Sequence, residues 1–350
     1  MPGSTLFGTR YPLIQAPLAG VQASAMAIAV SRAGGLGSLP AAMLSLASLR
    51  TELAAIQAGT DQPYNVNFFC HTPPSPVAER EAVWRAALSP YYRELGLDID
   101  SVPAGAGRMP FTQEAAAVLA EFRPPVVSFH FGLPSDDLLA RVRSWGAKVI
   151  SSATTVAEAR WLEAHGVDAI IAQGLEAGGH RGMFLSDDLS TQQGTFALLP
   201  QVVAAVQVPV IAAGGIADAQ GVRAALALGA AAVQVGTAYM LCHEATTSVV
   251  HRAALQSEAA QHTALTNLFT GRPARGIVNR VMRELGSINE AVPAFPLATA
   301  AMAPLRSQAE AAGSGDFSPL WSGQNPTGCR AIPAAEMTRL LAVGCGPSEG

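Results

Sequence analysis

Eight short apolar runs, each bounded by turn-forming residues, constrain this chain more than any other feature. They fall at residues 12–15, 35–39, 65–69, 126–130, 148–151, 169–173, 208–213 and 232–236. Near-continuous hydrophobicity over about 4–8 residues is the pattern of strands buried on both faces of a parallel sheet. Between most of these runs lies a segment with apolar residues at i, i+3 and i+4: 23–32, 46–57, 114–122, 137–145, 156–165, 196–206 and 219–228. Ser135, Thr154–Thr155 and Asp218 stand where helix N-caps are expected. Gly146, Gly166 and Gly229 stand where left-handed C-caps end helices. Strand–helix units imply either a closed barrel or a doubly wound open sheet, and the count of eight favours a (β/α)8 TIM barrel.

Two stretches break the alternation. More than fifty residues, rich in Pro and charge, separate the third run from the fourth, too many for an ordinary βα connection. After Gly236 the alternation stops; residues 245–283 read as helical and a Pro/Ala/Gly-rich tail follows. Loops after barrel strands open on the catalytic face, so these stretches are expected to form a mostly helical substrate lobe over it. The expected division is therefore 1–72 and 113–244 for the barrel, and 73–112 and 245–350 for the lobe and tail, with order fading beyond about Arg330.

Composition narrows the partners. The 350 residues are 49% hydrophobic and 14% charged, enough for a large core, and the net charge is −4 without any Lys/Arg block. Nucleic acid and anionic membranes are thus disfavoured as partners, and a small-molecule substrate is favoured. A signal-like leader and a spanning apolar window are both missing, so a cytoplasmic enzyme is expected. The four cysteines show no C-x-x-C spacing and read as reduced thiols.

The chemistry concentrates at the ends of the runs. Gly214–Gly215 close the seventh and Gly236–Thr237 the eighth, where loops of this fold commonly receive a phosphate; tight turns alone are the plainer alternative. Rossmann and P-loop fingerprints are absent, which leaves a sugar phosphate, pyridoxal phosphate or flavin mononucleotide. Lys148, the sole lysine, lies at the start of its run and on the wrong end of a barrel for a Schiff base, so FMN is preferred. In AQGLEAGGHRG, Gln173 ends the sixth run, and Gly178 and Gly179 precede His180 on a loop facing the barrel mouth. His130 ends the fourth run, equally readable as a satisfied barrel histidine or a ligand contact. The small residues Ala16, Pro17 and Leu18 after the first run could lie flat under a ring system, and Asn67 could bond its polar edge or cap a turn. Metal-ligand spacings are absent, so no metal centre is expected.

Taken together, YPLIQAPLAG, NVNFFCH, SFHFG, AQGLEAGGHRG and AAGGIADAQG…VQVGTAYMLC resemble the nitronate monooxygenase family, formerly 2-nitropropane dioxygenases, in its bacterial class I. TALTNLFTGRPARGIVN extends the resemblance more weakly. It implies an FMN-dependent enzyme that oxidises alkyl nitronates with O2 to carbonyl compounds and nitrite, and it admits a homodimer. By the same resemblance the flavin would touch Ala16, Pro17, Leu18, Asn67, Gln173 and Gly178. Its phosphate would lie against Gly214, Gly215, Gln234, Gly236 and Thr237. His180 corresponds to the family's active-site histidine. The related alternative is an FMN-dependent reductase using NAD(P)H, of the enoyl-acyl-carrier or quinone type. One departure stands out: where the family carries two tyrosines and a lysine for the substrate's anionic end, this chain has Phe295, Thr299 and Ala303. Phe295, Thr299 and His130 are then expected to line a more apolar substrate pocket. Propionate 3-nitronate becomes a poor candidate substrate, unless a shifted register brings in Arg306.

Overall fold

The computed structural model describes residues 6–102 and 108–346. All eight apolar runs are strands: β1 (Leu13–Gln15), β2 (Gly37–Pro40), β3 (Tyr64–Phe69), β4 (Val126–His130), β5 (Lys148–Ala153), β6 (Ala169–Gln173), β7 (Val210–Ala213) and β8 (Ala232–Val235). They are parallel and ordered β1-β8-β7-β6-β5-β4-β3-β2. A parallel bridge between Ile14 and Leu36 closes the ring, making a (β/α)8 TIM barrel. Ile14, Leu36, Val126, Ile150, Ala169, Ile171, Ile211 and Ala232 form one buried cluster, with Phe7 packed into it.

The local signals act as their chemistry requires. Thr155 and Asp218 accept the amides of Glu158 and Gly221, capping helices Val156–Ala164 and Ala219–Ala227. Gly146, Gly166 and Gly229 take positive φ after their helices. Ser135 occupies an N-cap position without bonding a helix amide through its side chain.

The interruptions do build a second core. Trp84, Leu88, Tyr91 and Tyr92 of helix Ala78–Glu94 pack with Leu268, Phe269, Met282, Met302, Leu305 and Phe317. Tyr92 donates its hydroxyl to the Ala301 carbonyl at 2.6 Å, tying the two insertions together.

Two expectations are corrected. Residues 245–283 are not continuously helical: after helix Val249–Leu255, strands Thr263–Thr266 and Ala274–Ile277 pair antiparallel, and the second also pairs with Gly179–His180. The Gly179–His180 partner is almost a hundred residues earlier and leaves no trace in local periodicity. The chain beyond Arg330 is ordered through Gly346, because Ala334, Met337, Thr338, Leu341 and Ala342 form an apolar helical face. Helix Ala334–Ala342 packs on the barrel core, so the C-terminal end leaves the lobe and returns to the barrel. Among the described residues no helix is long and apolar enough to cross a membrane.

Candidate active site

A cavity of about 1320 Å³, counted out to its opening to solvent, lies at the C-terminal mouth of the barrel. One wall is the barrel: Ala16, Pro17 and Leu18 after β1, Asn67 and Phe69 from β3, Ser128 and His130 from β4, and the ends of β6, β7 and β8. The opposite wall comes from the lobe and the loops over it: Arg108, His251, Trp321, Gly323 and Asn325. Of the residues expected at a flavin, Ala16, Pro17, Leu18, Asn67, Gln173, Gly178, Gly179, Gly214, Gly215, Gln234, Gly236 and Thr237 all line this space.

The rim after β7 and β8 is kept open by glycine. Gly214 and Gly215 hold φ of 115° and 72°. A Cβ on Gly214 would come 2.9 Å from Thr195 Oγ1 and 3.1 Å from the Gly174 carbonyl. Backbone in this region with no side chain can approach a ligand closely. The amides of Gly215 and Gly236 serve as donors in none of the hydrogen bonds among the described residues. Glu176 stands close to this rim, but its carboxylate accepts the amide and hydroxyl of Thr195 at 2.8 Å. Asn325 donates to the Gly215 carbonyl and Thr237 Oγ1 accepts the Gly323 amide, so residues 323–325 strap the rim from above.

A flavin fits these residues. Its fused ring needs flat apolar support, which Ala16 to Leu18 provide, and its polar edge needs partners. Gln234 Oε1 is buried and has no partner among the described residues, as an acceptor reserved for a ligand N–H would be. Gln173 differs: its Nε2 donates to the His180 carbonyl at 3.0 Å and its Oε1 accepts the Gly182 amide at 2.8 Å. Both ends of that amide hold the His180 segment in place.

His180 sits in a short strand rather than a free loop, opposite Ala274. The sequence reading passed over the neighbour that anchors it. Arg181 is fully buried; its guanidinium donates to the Gly174 and Gln173 carbonyls, both at 2.7 Å, and to Gln192 Oε1 at 3.0 Å. Its place in the motif AGGHRG, directly after His180, was the only signal. Burial pushes this guanidinium down to about 10, where it is still cationic at neutral pH.

The His180 ring is enclosed by Phe295 at 5.4 Å, Trp321 at 5.6 Å, and Phe69 and Phe131 at 6.0 Å between centroids. Nε2 lies 2.9 Å from Thr270 Oγ1. Burial, then the charges of Arg108, His130, Arg272 and His71, hold its pKa well below the ordinary histidine value. His180 is therefore neutral at neutral pH, an acceptor or a single N–H donor and not an imidazolium.

His130 lines the cavity with both nitrogens occupied. Its Nε2 meets the His180 carbonyl at 3.2 Å, which requires a proton there, and Nδ1 then accepts from Ser152 Oγ at 3.0 Å. Burial pushes its pKa down to about 4.

The expected substrate residues divide. Phe295 is buried behind His180 and joins Phe69 and Phe131 in an aromatic cluster. Thr299 does not line the cavity; its hydroxyl donates to the Phe269 carbonyl at the start of helix Thr299–Ala311. Arg306 does not supply the missing donor either, because it pairs with Glu310 at 2.8 Å on a partly exposed helix face. Residues found only in the structure are Arg108, Thr270, His251 and Trp321. They come from segments far apart in the chain; Thr270 alone falls in a quoted stretch, TALTNLFTGRPARGIVN, where nothing singles its hydroxyl out.

The family model described as nitronate monooxygenase matches residues 2–342. A nitronate monooxygenase of Pseudomonas aeruginosa is 41% identical over 339 residues, 96% of each chain. One from Paraburkholderia phytofirmans is 42% identical over 341 residues, 96% of this chain and 92% of the other. Among solved structures, nitroalkane oxidase from Streptomyces ansochromogenes superposes with a TM-score of 0.88 at 37% identity, covering 97% of both chains. FabK from Thermotoga maritima reaches 0.71 at 26% identity, covering 98% of this chain and 94% of its own.

Proposed function

The chain belongs to the nitronate monooxygenase family, and from that premise we propose that it oxidises alkyl nitronates with O2 to carbonyl compounds and nitrite, using FMN. The observation that carries this reading is the half-buried His180 imidazole, uncharged at neutral pH, facing a cavity rimmed by the glycines of the barrel mouth.

Bound in that mouth, the flavin would supply electron acceptance from the substrate and delivery to oxygen. The residues that would hold it are Ala16 to Leu18 beneath the ring, Asn67 and Gln234 at its polar edge, and Gly214, Gly215, Gly236 and Thr237 at the phosphate. A nitronate is already a carbanion equivalent, so the protein need not remove a carbon-bound proton from it. What this chain contributes is placement of an anion in a water-poor site.

In the tautomer that carries its proton there, His180 Nε2 would share its single N–H between Thr270 Oγ1, which aligns the ring, and a nitro oxygen. The buried guanidinium of Arg272, 4.1 Å from the Phe131 centroid, adds positive potential without contacting His180 through a hydrogen bond. With a neutral nitroalkane, the other tautomer, with Nε2 unprotonated, would take the α-proton, and its low basicity would make that reaction the slower of the two. Phe69, Phe131, Phe295 and Trp321 keep bulk water from the ring.

Oxygen uptake and nitrite release with the purified yellow protein test this reading against the reductase alternative. Turnover of nitronates, with no bleaching of the flavin on anaerobic mixing with NADH or NADPH, is the expected result. Rapid bleaching with no nitrite would replace the oxidase reading with the reductase one.

A further inference from the structure

We infer that Asn325 is a positioning residue for the cofactor: by occupying the Gly215 carbonyl it leaves the barrel rim with hydrogen-bond donors alone to offer the flavin phosphate. This rests on the reading that FMN places its phosphate at that rim.

The acceptors of the rim are taken from within the fold. The Gly214 carbonyl accepts the Thr195 hydroxyl at 3.0 Å, and the Gly236 carbonyl accepts the Tyr239 amide at 2.9 Å. The Thr237 carbonyl accepts the Met240 amide at 3.0 Å and the Cys329 thiol at 3.1 Å. Thr237 Oγ1 accepts the Gly323 amide at 2.9 Å, which leaves the hydroxyl its own proton to give. The Gly215 carbonyl is left for Asn325, whose Nδ2 donates to it at 3.2 Å. What the rim keeps for a ligand is the amides of Gly215 and Gly236 and the hydroxyl of Thr237. A phosphate ester is rich in acceptor oxygens, so a rim of donors suits it.

The orientation of Asn325 is fixed. Its Oδ1 accepts the Thr327 amide at 3.3 Å and the Thr327 hydroxyl at 2.6 Å; a main-chain N–H can only donate, so the side-chain nitrogen is the end directed at Gly215. The peptide between Gly214 and Gly215 is held by Thr195, but the one after Gly215 hinges on a residue without Cβ at φ of 72°. Asn325 keeps that peptide from turning its oxygen towards the ligand. No cation compensates for a misdirected carbonyl: Arg108 is the one Lys or Arg lining the cavity among the described residues, and it lies 5.9 Å from the Phe295 centroid on the other wall. Uncharged donors stabilise an anion only when they are aimed at it.

Exchange of bound FMN against added riboflavin on the loaded protein, with the bound flavins then identified by chromatography, gives the affinity ratio of two ligands that differ only in the phosphate. The wild type should favour FMN by at least about 10²-fold. N325A removes the donor and should lower that ratio about five- to tenfold. N325D is nearly isosteric and can keep both Thr327 bonds, yet it sets an anionic oxygen against the Gly215 carbonyl and beside the phosphate; the ratio should fall about 10²-fold. Thr327→Val frees the Asn325 amide to turn over and should fall between wild type and N325A. A merely structural role would weaken both flavins alike and leave the ratio unmoved. Ratios for N325A and N325D within about twofold of the wild type, less than one hydrogen bond is worth, would overturn the assignment while leaving the phosphate on the rim. A wild type that takes both flavins equally would discard the phosphate placement and the inference with it. Should N325D fail to fold, the ordered decrease from wild type through Thr327→Val to N325A decides.

Discussion

The two walls of the cavity are built by different means. The barrel wall is made of consecutive residues at strand ends, such as Ala213–Gly214–Gly215 and Val235–Gly236–Thr237, whose positions follow from the fold and whose chemistry is backbone and small side chains. The opposite wall is made of single large or charged side chains, Arg108, His180 and Trp321, supplied by three separate segments and packed on one another or on Phe295 behind them. The first wall is suited to hold a cofactor common to many substrates. The second is suited to choose the substrate and position it. Variants in the two walls should therefore fail in different ways.

The largest effect is expected on that second wall. His180→Gln should retain flavin but lose about 10²–10⁴-fold in nitronate turnover, the range typical of a positioned acid–base or electrostatic group. Full activity with intact flavin would remove His180 from the chemistry. On the barrel wall, Gly214→Val should instead release the cofactor: φ of 115° is strained for any side chain, and the new Cβ would meet Thr195 and the Gly174 carbonyl. A flavin affinity weakened by about 10²-fold is expected from strain on the order of 2–3 kcal/mol. Unchanged flavin content in that variant would mean the rim does not touch the phosphate.

Acid should strain both walls, through His130 at the end of a barrel strand and His251 opposite it. Burial pushes both His130 and His251 down to about 4, and it also lowers His71 and His180. Between that value and about 6.5, the unfolded chain takes up protons that the folded chain does not. Stability should thus be full at neutral pH and fall as the pH drops from about 6.5 towards 4, by on the order of 2 kcal/mol for each of His130 and His251. Denaturant midpoints measured across that window, in wild type and in His251→Asn, check the sign; a flat profile would contradict the buried neutral state. The smallest effect is expected from Thr270→Val, which removes the hydroxyl 2.9 Å from His180 Nε2 and leaves the ring packed. A loss of about three- to tenfold in turnover, with flavin content unchanged, fits one neutral hydrogen bond of about 1 kcal/mol.

The same contrast explains what could be read in advance. The rim glycines and the flat segment Ala16 to Leu18 lie beside apolar runs that declare themselves locally, so their gathering followed once the barrel was recognised; Gln234 came only from the family resemblance. Thr299 was misplaced because helix Thr299–Ala311 presents Ala301, Met302 and Leu305 to the lobe core, and its first turn bonds back to Phe269. The strands Thr263–Thr266 and Ala274–Ile277 pair with each other close in the chain, but each is only four residues long, and the second also depends on Gly179–His180, almost a hundred residues earlier, so their period is not legible locally. The final helix was missed although its apolar residues recur at helical spacing, because Pro, Ala and Gly around it suggested disorder.

By itself, the sequence determined the barrel, its glycine rim and the histidine that faces it, since each of these is encoded within a run of neighbouring residues by hydrophobic period and turn chemistry. Only the tertiary structure decided that Gln173 and Arg181 are structural anchors, that His180 is held uncharged, and that Asn325 occupies an acceptor of the rim. Charge state and hydrogen-bond satisfaction depend on which distant groups surround an atom and how much water they exclude, and no local pattern records that.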